Sequence, residues 1–548
     1  MPALLLLLLP LLPLIYLIIK ALTDPLLSIP GPFLARFTRL WYLWQIYKGG
    51  FERENLRLHR RYGSVVRIAP GEFSLDVDVD VDGGRGVYGG KGEFLKAPWY
   101  WAANPPDPAK ASLFSDLDPV RHGIQKRKFA KAYSMSSLVS LEGFVDHCSE
   151  VLVERLSSFA ENSPSASPSQ DQNENESTEE GEGKGQMIQL QDWLHYYALD
   201  VIGEITFGRP FGYLERGKDN GAIQAIWAKL TYAAFVGVYP WLHAWLFPLF
   251  VKMGGGGHGF LMNFTLDSIA RRKKELASVA EKGSNGENRG ERGDMLSKFL
   301  TMQKEQQEEQ KEPDKGGEGT TSKMTDLDII LICQTNIGAG SDTTAITLSA
   351  IFYNLLRHPL TLARLRAEID SAYATGDLSD PITFKQTQGL KYLQAVIKEG
   401  LRVFPATGLG MQRIVPKEGA RLAGRWFRGG ETVGINAWVA HANKGVFGED
   451  AESWRPERWL EIEEEGRGAE VERYFFSFGM GSRSCFGKNI SLLEMSKLVP
   501  LLVRKFDFEL DERLQGEGKE WKTLNRWFVK QLDFGVRIKL RETSELAS

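Results

Sequence analysis

The sequence predicts a mainly α-helical fold with a small β-rich part, on the evidence of three helical patterns and two strand patterns. The longest helical pattern runs from Thr325 to Arg357, and shorter ones cover residues 392–404 and 490–506. At ~1.5 Å per residue the first helix would be about 50 Å long, the width of a domain of this size. Strand patterns occupy residues 62–68 and 536–540, near the two ends of the predicted body.

Length and composition limit what kind of protein this is. Its 548 residues would fill two or three ordinary domains or one large domain with extensions. The 67 basic and 70 acidic residues give a net charge of -3, which argues against bulk nucleic-acid binding. The three cysteines, Cys148, Cys333 and Cys485, form no disulfide framework and fit a reducing, cytosol-facing compartment.

The first 22 residues predict a membrane anchor. Ala3 to Ile19 is almost wholly apolar and would reach ~26 Å as a helix, slightly less than the ~30 Å of a bilayer core. A cleaved signal peptide is the alternative, but no small-x-small cleavage pattern follows. Lys20 favours a cytosolic position for the rest of the chain. The following Pro-Gly-Pro at 30–32 predicts a stiff hinge over residues 23–37.

We expect a single catalytic domain over residues 38–548. Polar stretches with almost no apolar content predict disordered insertions at 161–186, 281–293 and 303–323. They add no core of their own, so we do not expect them to divide the domain.

Two further stretches of the body are unusual in composition. Val alternates with Asp over residues 75–82, which predicts a strand with one charged face. Tyr239 to Val251 is rich in Trp, Leu and Phe and too short to span a membrane. We expect the second stretch to lie at the lipid interface, with a core helix as the alternative.

The centre of the longest predicted helix breaks the usual rules of helix composition. Thr325 and Asp328 can form a capping box at its start, and Pro359 ends it. Residues 338–344 read Gly-Ala-Gly-Ser-Asp-Thr-Thr, and each mid-helix glycine costs ~1 kcal/mol relative to alanine. A helix that gives up stability at its centre is a candidate functional segment. A close helix–helix contact is the simpler interpretation.

The stretch from Phe478 to Gly487 places Cys485 among glycines. Glycine lets the backbone run close to a flat cofactor because it has no Cβ, and a cysteine thiolate is a metal ligand. Arg483 adds a permanent cation suited to a carboxylate such as a haem propionate. A buried free cysteine in a glycine-rich turn is the simpler interpretation.

A possible buried charge cluster involves Glu399, Arg402 and Arg458. Glu399 and Arg402 are three residues apart in a predicted helix, so their side chains can meet on one side. Arg458, within Pro-Glu-Arg-Trp at 456–459, can complete the cluster. We assign these residues a structural role, with an ordinary surface ion pair as the alternative.

These ordered patterns resemble the cytochrome P450 family of haem-thiolate monooxygenases, from about Pro30 to Leu540. Phe-x-x-Gly-x-Arg-x-Cys-x-Gly at 478–487 resembles the family's haem-binding loop, and Ala-Gly-x-Asp-Thr-Thr at 339–344 resembles its oxygen-activation segment. The Glu-x-x-Arg pair and the later Pro-Glu-Arg-Trp also match. The resemblance implies the P450 fold, with haem b between the long central helix and the Cys485 loop.

The resemblance also implies a set of site residues. Cys485 would be the axial ligand of the haem iron, and Thr343 with Asp342 would be catalytic residues that bond dioxygen or water and relay protons. The other cofactor-binding residues that it implies are Phe478, Gly481, Arg483, His122, Lys126, Arg413, Ala339 and Gly340.

His122 and Lys126 lie one turn apart on a predicted basic helix. In the family an arginine usually stands where this sequence has Lys126, so an ion pair to a propionate is kept but its bidentate geometry is lost. Arg127 is the alternative partner, and a solvated basic face is the simpler interpretation. The same basic residues could also form part of a docking face for an acidic redox partner.

The implied activity is a monooxygenase reaction that inserts one oxygen atom from O2 into a small apolar organic substrate. The sequence contains no flavin or nicotinamide module, so we expect electrons from a separate NADPH–cytochrome P450 reductase. NADPH and flavins would act only through that partner. The resemblance further implies a single-pass protein of the endoplasmic reticulum membrane, with its catalytic domain in the cytosol, and a role in fungal secondary metabolism.

Two alternative functions are open at this point. A haem-thiolate isomerase or dehydratase would act without a reductase, but such members often lack the acid–alcohol pair that Asp342 and Thr343 supply here. A non-enzymatic haem-binding or sensor protein would not need an intact oxygen-activation segment.

Overall fold

Helices make up most of the chain, as the sequence predicts, and short strands pair into small sheets. The computed structural model describes residues 15, 18, 19, 22–76, 85–89, 93–161, 186–255, 257–281, 293–308 and 323–542. The α-helices in chain order are α1 (Leu40–Lys48), α2 (Phe51–Tyr62), α3 (Arg85–Tyr88), α4 (Pro119–Phe129), α5 (Met135–Val139), α6 (Glu142–Glu161), α7 (Leu190–Phe207), α8 (Tyr213–Arg216), α9 (Ala222–Val236), α10 (His243–Lys252), α11 (His258–Glu281), α12 (Met295–Glu308), α13 (Asp326–Arg357), α14 (Pro359–Ala374), α15 (Phe384–Thr387), α16 (Lys391–Val403), α17 (Ala437–His441), α18 (Lys444–Phe447), α19 (Glu457–Glu464), α20 (Gly468–Val471) and α21 (Lys488–Lys505). The strands are β1 (Val65–Ala69), β2 (Glu72–Leu75), β3 (Leu95–Lys96), β4 (Met187–Gln189), β5 (Arg413–Ile414), β6 (Ala420–Leu422), β7 (Arg425–Phe427), β8 (Thr432–Ile435), β9 (Phe506–Leu510), β10 (Thr523–Arg526), β11 (Phe528–Gln531) and β12 (Gly535–Leu540).

Helix α13 is the long central helix that the sequence predicts. The Thr325 side chain accepts the Asp328 N–H, and the Asp328 side chain accepts the Thr325 N–H, so the predicted capping box is present. The helix ends at Arg357 because Pro359 begins α14 in a new direction. Most of α13 is buried.

Helix α7 packs antiparallel along the middle of α13. Asn336 donates a hydrogen bond to the Thr206 hydroxyl (3.1 Å). Gly340, four residues further along α13, contacts Ile202, which lies four residues before Thr206 on α7. A Cβ at position 340 would lie 2.5 Å from the Ile202 Cδ1, so this glycine allows the close helix contact without moving the Ile202 side chain. The simpler interpretation of the small residues therefore holds at this position.

The largest sheet has the strand order β1-β2-β8-β5-β3, and the predicted closing strand β12 pairs with β4 and β9. The proline-rich segment before α1 is docked on β1. The Arg67 N–H bonds the Pro30 carbonyl at 2.8 Å, and the Arg67 side chain binds Asp24 at 2.8 Å. Residues 24–30 are therefore fixed to the sheet by the buried Arg67 side chain.

The predicted charge cluster is present and fully buried. Arg402 binds both Glu399 oxygens at 2.7 and 2.8 Å, and the Arg458 Nε lies 3.6 Å from Glu399 Oε1. The Trp459 indole and the Arg455 N–H each donate to Glu399 at 2.9 Å. The buried Glu399 carboxylate thus has hydrogen-bond partners at both of its oxygens.

His441 connects this cluster to the chain that leads into the Cys485 loop. Its Nδ1–H donates to the Arg402 carbonyl at 2.9 Å, and its Nε2 accepts the Phe476 N–H at 2.8 Å. Burial lowers the pKa of His441 to about 3, which keeps the ring neutral and fixes this tautomer. Ser477 adds a hydrogen bond to the Leu401 carbonyl at 2.7 Å.

The predicted insertions, the Asp/Val run and the predicted anchor are covered only in part by the described residues. Helix α12 continues to Glu308, so residues 303–308 of the third predicted insertion are helical. Residues 162–185, 282–292 and 309–322 of the insertions, residues 77–82 of the Asp/Val run, and most of the predicted anchor lie outside the described residues.

Among the described residues no single helix has both the length and the apolar character needed to cross a bilayer. Only α9 together with Pro240–Lys252 passes the same test as a pair, and that pair is bent by 117°.

Breaking the Glu399 cluster should destabilise the protein strongly. Glu399→Gln removes the only charge that the buried Arg402 guanidinium binds directly among the described residues, and stranding such a charge costs about 3–5 kcal/mol. The measurement is the urea unfolding midpoint of the full-length protein.

Arg364→Gln is the matched control, because the half-exposed Arg364 binds Glu457 at 3.1 Å on the surface and should contribute less than about 1 kcal/mol. Equal losses for the two variants would contradict the role given to Glu399.

Candidate active site

The Cys485 loop is held in place by its own backbone and by close packing against Tyr88 at the end of α3. The Cys485 N–H donates to the Phe478 carbonyl at 2.7 Å, which closes the loop on itself. Gly481 has a φ of 65°, and a Cβ there would lie 1.9 Å from the Tyr88 carbonyl oxygen. The glycine is therefore required both by its conformation and by this close backbone approach.

The Cys485 side chain is accessible although protein atoms surround it, which indicates an internal cavity beside it. It is solvent-accessible, whereas Cys148 and Cys333 are buried. Burial is nevertheless the strongest influence on Cys485 and raises the pKa of its thiol. Opposing this, the backbone N–H groups of Gly487 and Lys488 at the start of α21 lower that pKa, because they donate hydrogen bonds that favour the thiolate.

The centre of α13 faces the same interior space. Ala339 is exposed and Thr343 is half-exposed, although most of α13 is buried. The Thr343 hydroxyl donates to the Ala339 carbonyl at 2.8 Å. An exposed turn in the middle of a buried helix indicates a cavity beside it.

Two contacts place this turn of α13 next to the Cys485 loop. The Thr344 and Ser491 hydroxyls lie 3.0 Å apart, which joins α13 to the first turn of α21. On the other side, Tyr133 bonds Asn336 of α13 at 2.5 Å and packs on Phe486 with ring centroids 4.1 Å apart. The cavity wall thus has an exposed thiol on one element and small or hydroxyl residues on the facing helix.

A cluster of cations lies beside the loop. Arg483 donates to the Asp116 carbonyl at 2.7 Å, Lys126 donates to the Ser482 carbonyl at 3.0 Å, and Arg413 donates to its neighbour's carbonyl at 2.9 Å. Burial, reinforced by repulsion from Arg413, lowers the pKa of Arg483 to about 10. Burial and the cations Arg483, Lys96 and Lys126 lower the pKa of His122 to about 3.

The cluster has more positive than negative charge. Asp116 faces it, but the two Asp116 carboxylate oxygens bind Arg121 at 2.6 and 2.8 Å. Asp118 caps the start of α4. Buried cations that bind mainly backbone carbonyls and repel one another are able to bind carboxylates.

Lys96 belongs to this cluster and was missed in the sequence. Its ammonium donates to the Phe114 carbonyl and lies 4.2 Å from the Tyr100 ring centroid. Burial, followed by repulsion from Arg413 and Arg483, holds the pKa of Lys96 well below its usual value. A lone lysine in an aromatic stretch gives no sequence signal of burial, because exposed lysines between aromatic residues look the same.

The remaining predicted site residues take different positions. Arg127 is exposed, whereas Lys126 reaches the loop, so Lys126 and not Arg127 is the cation that α4 contributes. Phe478 packs against the main core and lies 5.5 Å from the Lys488 ammonium. Asp342 is buried and turned towards α7, where its Oδ1 lies 2.9 Å from the His195 Nε2.

Comparisons with known proteins agree on one family. A family model described as Cytochrome P450 matches residues 30–526. A pisatin demethylase of Fusarium vanettenii is 36% identical over 536 residues, which is 96% of this chain and 93% of that protein. Cytochrome P450 monooxygenases of Aspergillus terreus and Emericella nidulans are 36% and 35% identical over 88% and 94% of this chain, covering 90% and 93% of those proteins.

Alkylation should distinguish the three cysteines. In protein prepared without a cofactor, iodoacetamide should modify Cys485 before the buried Cys148 and Cys333. The thiolate is the nucleophile, and burial raises the pKa of the Cys485 thiol. The alkylation rate of Cys485 should therefore keep increasing into the alkaline pH range. Peptide mass spectrometry gives the site.

Haem loading should protect Cys485 while leaving the slow modification of the other two thiols unchanged. Preferential labelling of Cys148 or Cys333 would contradict the placement of the Cys485 side chain at the cavity wall.

Proposed function

This chain belongs to the cytochrome P450 family, and we propose that its monooxygenase reaction takes place in the cavity between α13 and the Cys485 loop. Members of the family use haem b and receive electrons from a separate reductase, so NADPH and flavin act on this chain only through that partner. The observation that supports this location is the accessible Cys485 thiol within the fold, beside the exposed Ala339 turn.

Cys485 is the proposed axial ligand of the haem iron. The N–H groups of Gly487 and Lys488 and the ammonium groups of Lys126 and Lys488 all favour the thiolate over the thiol. When bound, a thiolate-ligated haem b supplies the activation of dioxygen.

The cation cluster is the proposed site for the haem carboxylates. His122, Lys126, Arg413 and Arg483 were candidates from the sequence, and the structure adds Lys96 to them. Because these cations lack sufficient anions of their own, two carboxylates would complete the site. Ala339, together with Gly338, leaves open space on the α13 side of the same cavity.

Thr343 and Asp342 are the proposed proton-delivering pair. The half-exposed Thr343 hydroxyl lies on the cavity side of α13, and the next residue, Thr344, contacts α21. Asp342 is buried on the side of α7. The Thr343 hydroxyl donates its own proton to the Ala339 carbonyl, so its oxygen can accept a hydrogen bond from a water in the cavity, with the buried Asp342 carboxylate as the proposed proton source.

Oxidative demethylation is the first reaction to test. Two of the relatives that cover most of this chain are named pisatin demethylases, and others are fungal cytochrome P450 monooxygenases. Demethylation of a methyl ether by a monooxygenase consumes O2, two electrons and two protons, and releases an alcohol, formaldehyde and water. We propose a small, mostly apolar organic substrate of secondary metabolism.

Neither alternative function is favoured. A reductase-independent isomerase or dehydratase would not need the acid–alcohol pair, which is intact at Asp342 and Thr343. A non-enzymatic haem protein is disfavoured by the monooxygenases among the relatives.

Cys485→Ala tests the proposed ligand and the activity together. The full-length protein, expressed with NADPH–cytochrome P450 reductase, should show an absorbance band at about 450 nm when reduced and exposed to carbon monoxide. It should also release formaldehyde from an aryl methyl ether such as 7-methoxycoumarin. Cys485→Ala should lose both signals, because the band depends on electron donation from the thiolate.

Cys333→Ala is the matched control, since that thiol is buried elsewhere on α13, and it should keep the band. An unchanged band in Cys485→Ala would refute the ligand assignment. Ring hydroxylation with the methyl group retained would favour hydroxylation over demethylation.

We also propose that residues 1–22 anchor the protein in the endoplasmic reticulum membrane and that a large apolar face of the domain at 38–548 touches the lipid. Apolar side chains are exposed on α10 and its neighbours, with Trp245 81% and Met253 76% exposed. Phe33, just before α1, is 71% exposed, and Trp44 on α1 is also exposed. Exposed Trp and Phe are favoured at the membrane interface.

Trp245→Ser should weaken membrane binding of a protein that begins at residue 23. Removing an exposed indole from the lipid interface should reduce co-flotation with neutral phospholipid vesicles several-fold. Leu360→Ser is the control, because Leu360 is 86% exposed but lies at the start of α14. Equal loss in both variants, or no loss in either, would contradict the proposed face.

A further inference from the structure

The proposed acid, Asp342, is paired with a histidine that the sequence analysis did not select. His195 lies on α7, and its Nε2 is 2.9 Å from the Asp342 Oδ1. The two side chains are only 6% and 4% exposed. The antiparallel contacts of Asn336 with Thr206 and of Gly340 with Ile202 fix the position of α7 along α13.

The His195 and Asp342 side chains are close together, but not all of their polar atoms have a hydrogen-bond partner. The His195 Nε2 and the Asp342 Oδ2 are both buried without a hydrogen-bond partner among the described residues. The 2.9 Å contact involves only the Asp342 Oδ1, so the other carboxylate oxygen, Oδ2, stays free to take a proton. A buried carboxylate that keeps an unbonded oxygen is costly to maintain, which indicates a functional role.

His195 lies between two carboxylates, Asp192 at the surface and Asp342 in the interior. Asp192 is exposed and lies one helical turn before His195 on α7, so the two side chains are neighbours. Burial alone would raise the pKa of Asp342, but His195, with a smaller effect of Lys530 on β11, holds it below its usual value. The pKa of Asp192 is raised by burial and lowered less strongly by Lys530 and His195.

Other charged and titratable groups on α7 are directed elsewhere. Glu204 binds His147 of α6 at 2.9 Å, and Asp200 accepts two backbone N–H groups at the start of α8. The Tyr197 hydroxyl contacts Ser149 of α6. Among the described residues, Asp342 and Asp192 are thus the carboxylates that interact with His195, and Lys530 interacts with both of these carboxylates.

We propose that His195 is a positioning residue that resupplies Asp342 with protons from the solvent through Asp192. An imidazole can accept a proton on one nitrogen and release one from the other. One proton passes from the His195 Nε2 to the Asp342 carboxylate, and the ring then regains a proton from water through the exposed Asp192 carboxyl. No electron moves, and the net change is the transfer of one proton from solvent to Asp342.

The inference rests on the proposed role of Asp342 and extends that role to the protein surface. Asp342 is only 3% exposed and has no direct access to bulk water of its own. Each turnover that uses its proton therefore requires a route for replacement, and His195 with Asp192 supplies one along a single helix face.

The first test measures the contact without catalysis. Urea unfolding midpoints of the ferric, haem-loaded full-length protein are compared for His195→Gln, Asp342→Asn and the double variant. The double variant should be less destabilised than the sum of the single variants, because the two residues interact directly. Strict additivity would overturn the pairing.

The second test measures proton supply. NADPH consumption and hydrogen peroxide release are followed with reductase and 7-methoxycoumarin, between about pH 6 and 9, in H2O and in D2O. His195→Gln should slow NADPH consumption at least about tenfold at the alkaline end and enlarge the solvent isotope effect. Asp192→Asn should change the pH profile in the same direction but less.

Two comparisons keep the test decisive. His147→Gln is the matched control, because this histidine also binds a carboxylate of α7, and it should behave as the unmodified protein.

An unchanged pH profile of NADPH consumption in His195→Gln, while Thr343→Ala and Asp342→Asn are impaired, would overturn the role of His195 and leave the proposed function intact. Unchanged turnover in all of these variants would instead refute the acid–alcohol pair. If His195→Gln loses its haem, the proposed proton route is tested with Asp192→Asn instead. An unchanged pH profile of NADPH consumption in Asp192→Asn would then overturn the route.

Discussion

The buried carboxylate of Glu399 is the interaction on which the proposed haem site depends. It binds Arg402 through both oxygens and also accepts the Trp459 indole and a backbone N–H. From Arg402 the connection continues through the neutral His441 ring to the Phe476 backbone. A full charge placed in the core thus fixes the chain nine residues before Cys485, since any shift would leave a buried group without its partner.

The two walls of the cavity are fixed by different physical means. The loop wall is fixed by hydrogen bonds and by close backbone packing at Gly481. The α13 wall is fixed by helix packing, in which Gly340 admits Ile202 and leaves Ala339 exposed on another side of the helix. The small residues of the helix centre therefore serve two purposes, a close contact with α7 and an open surface towards the cavity.

Helix α7 contributes a polar side-chain contact to α13 in addition to its packing. It brings His195 to Asp342 and, one turn away, reaches the surface at Asp192. On the other side of the fold, the cation cluster has more charge than its own carboxylates balance, because Asp116 is bound to Arg121. The protein thus maintains unbalanced charge on one side of the cavity and an unbonded carboxylate oxygen on the other, both of which cost stability in a folded chain.

The sequence by itself determined the helical class, the bounds of α13, α16 and α21 to within two residues, and the partners in the Glu399 cluster. These features are set by local periodicity, capping and short spacing, which act within a few turns of the chain. It did not determine that Lys96 joins the cations, that Arg127 faces solvent, or that His195 meets Asp342. Such contacts join segments far apart in the chain, and only tertiary packing decides whether a lone lysine or histidine is solvated or buried beside a charge.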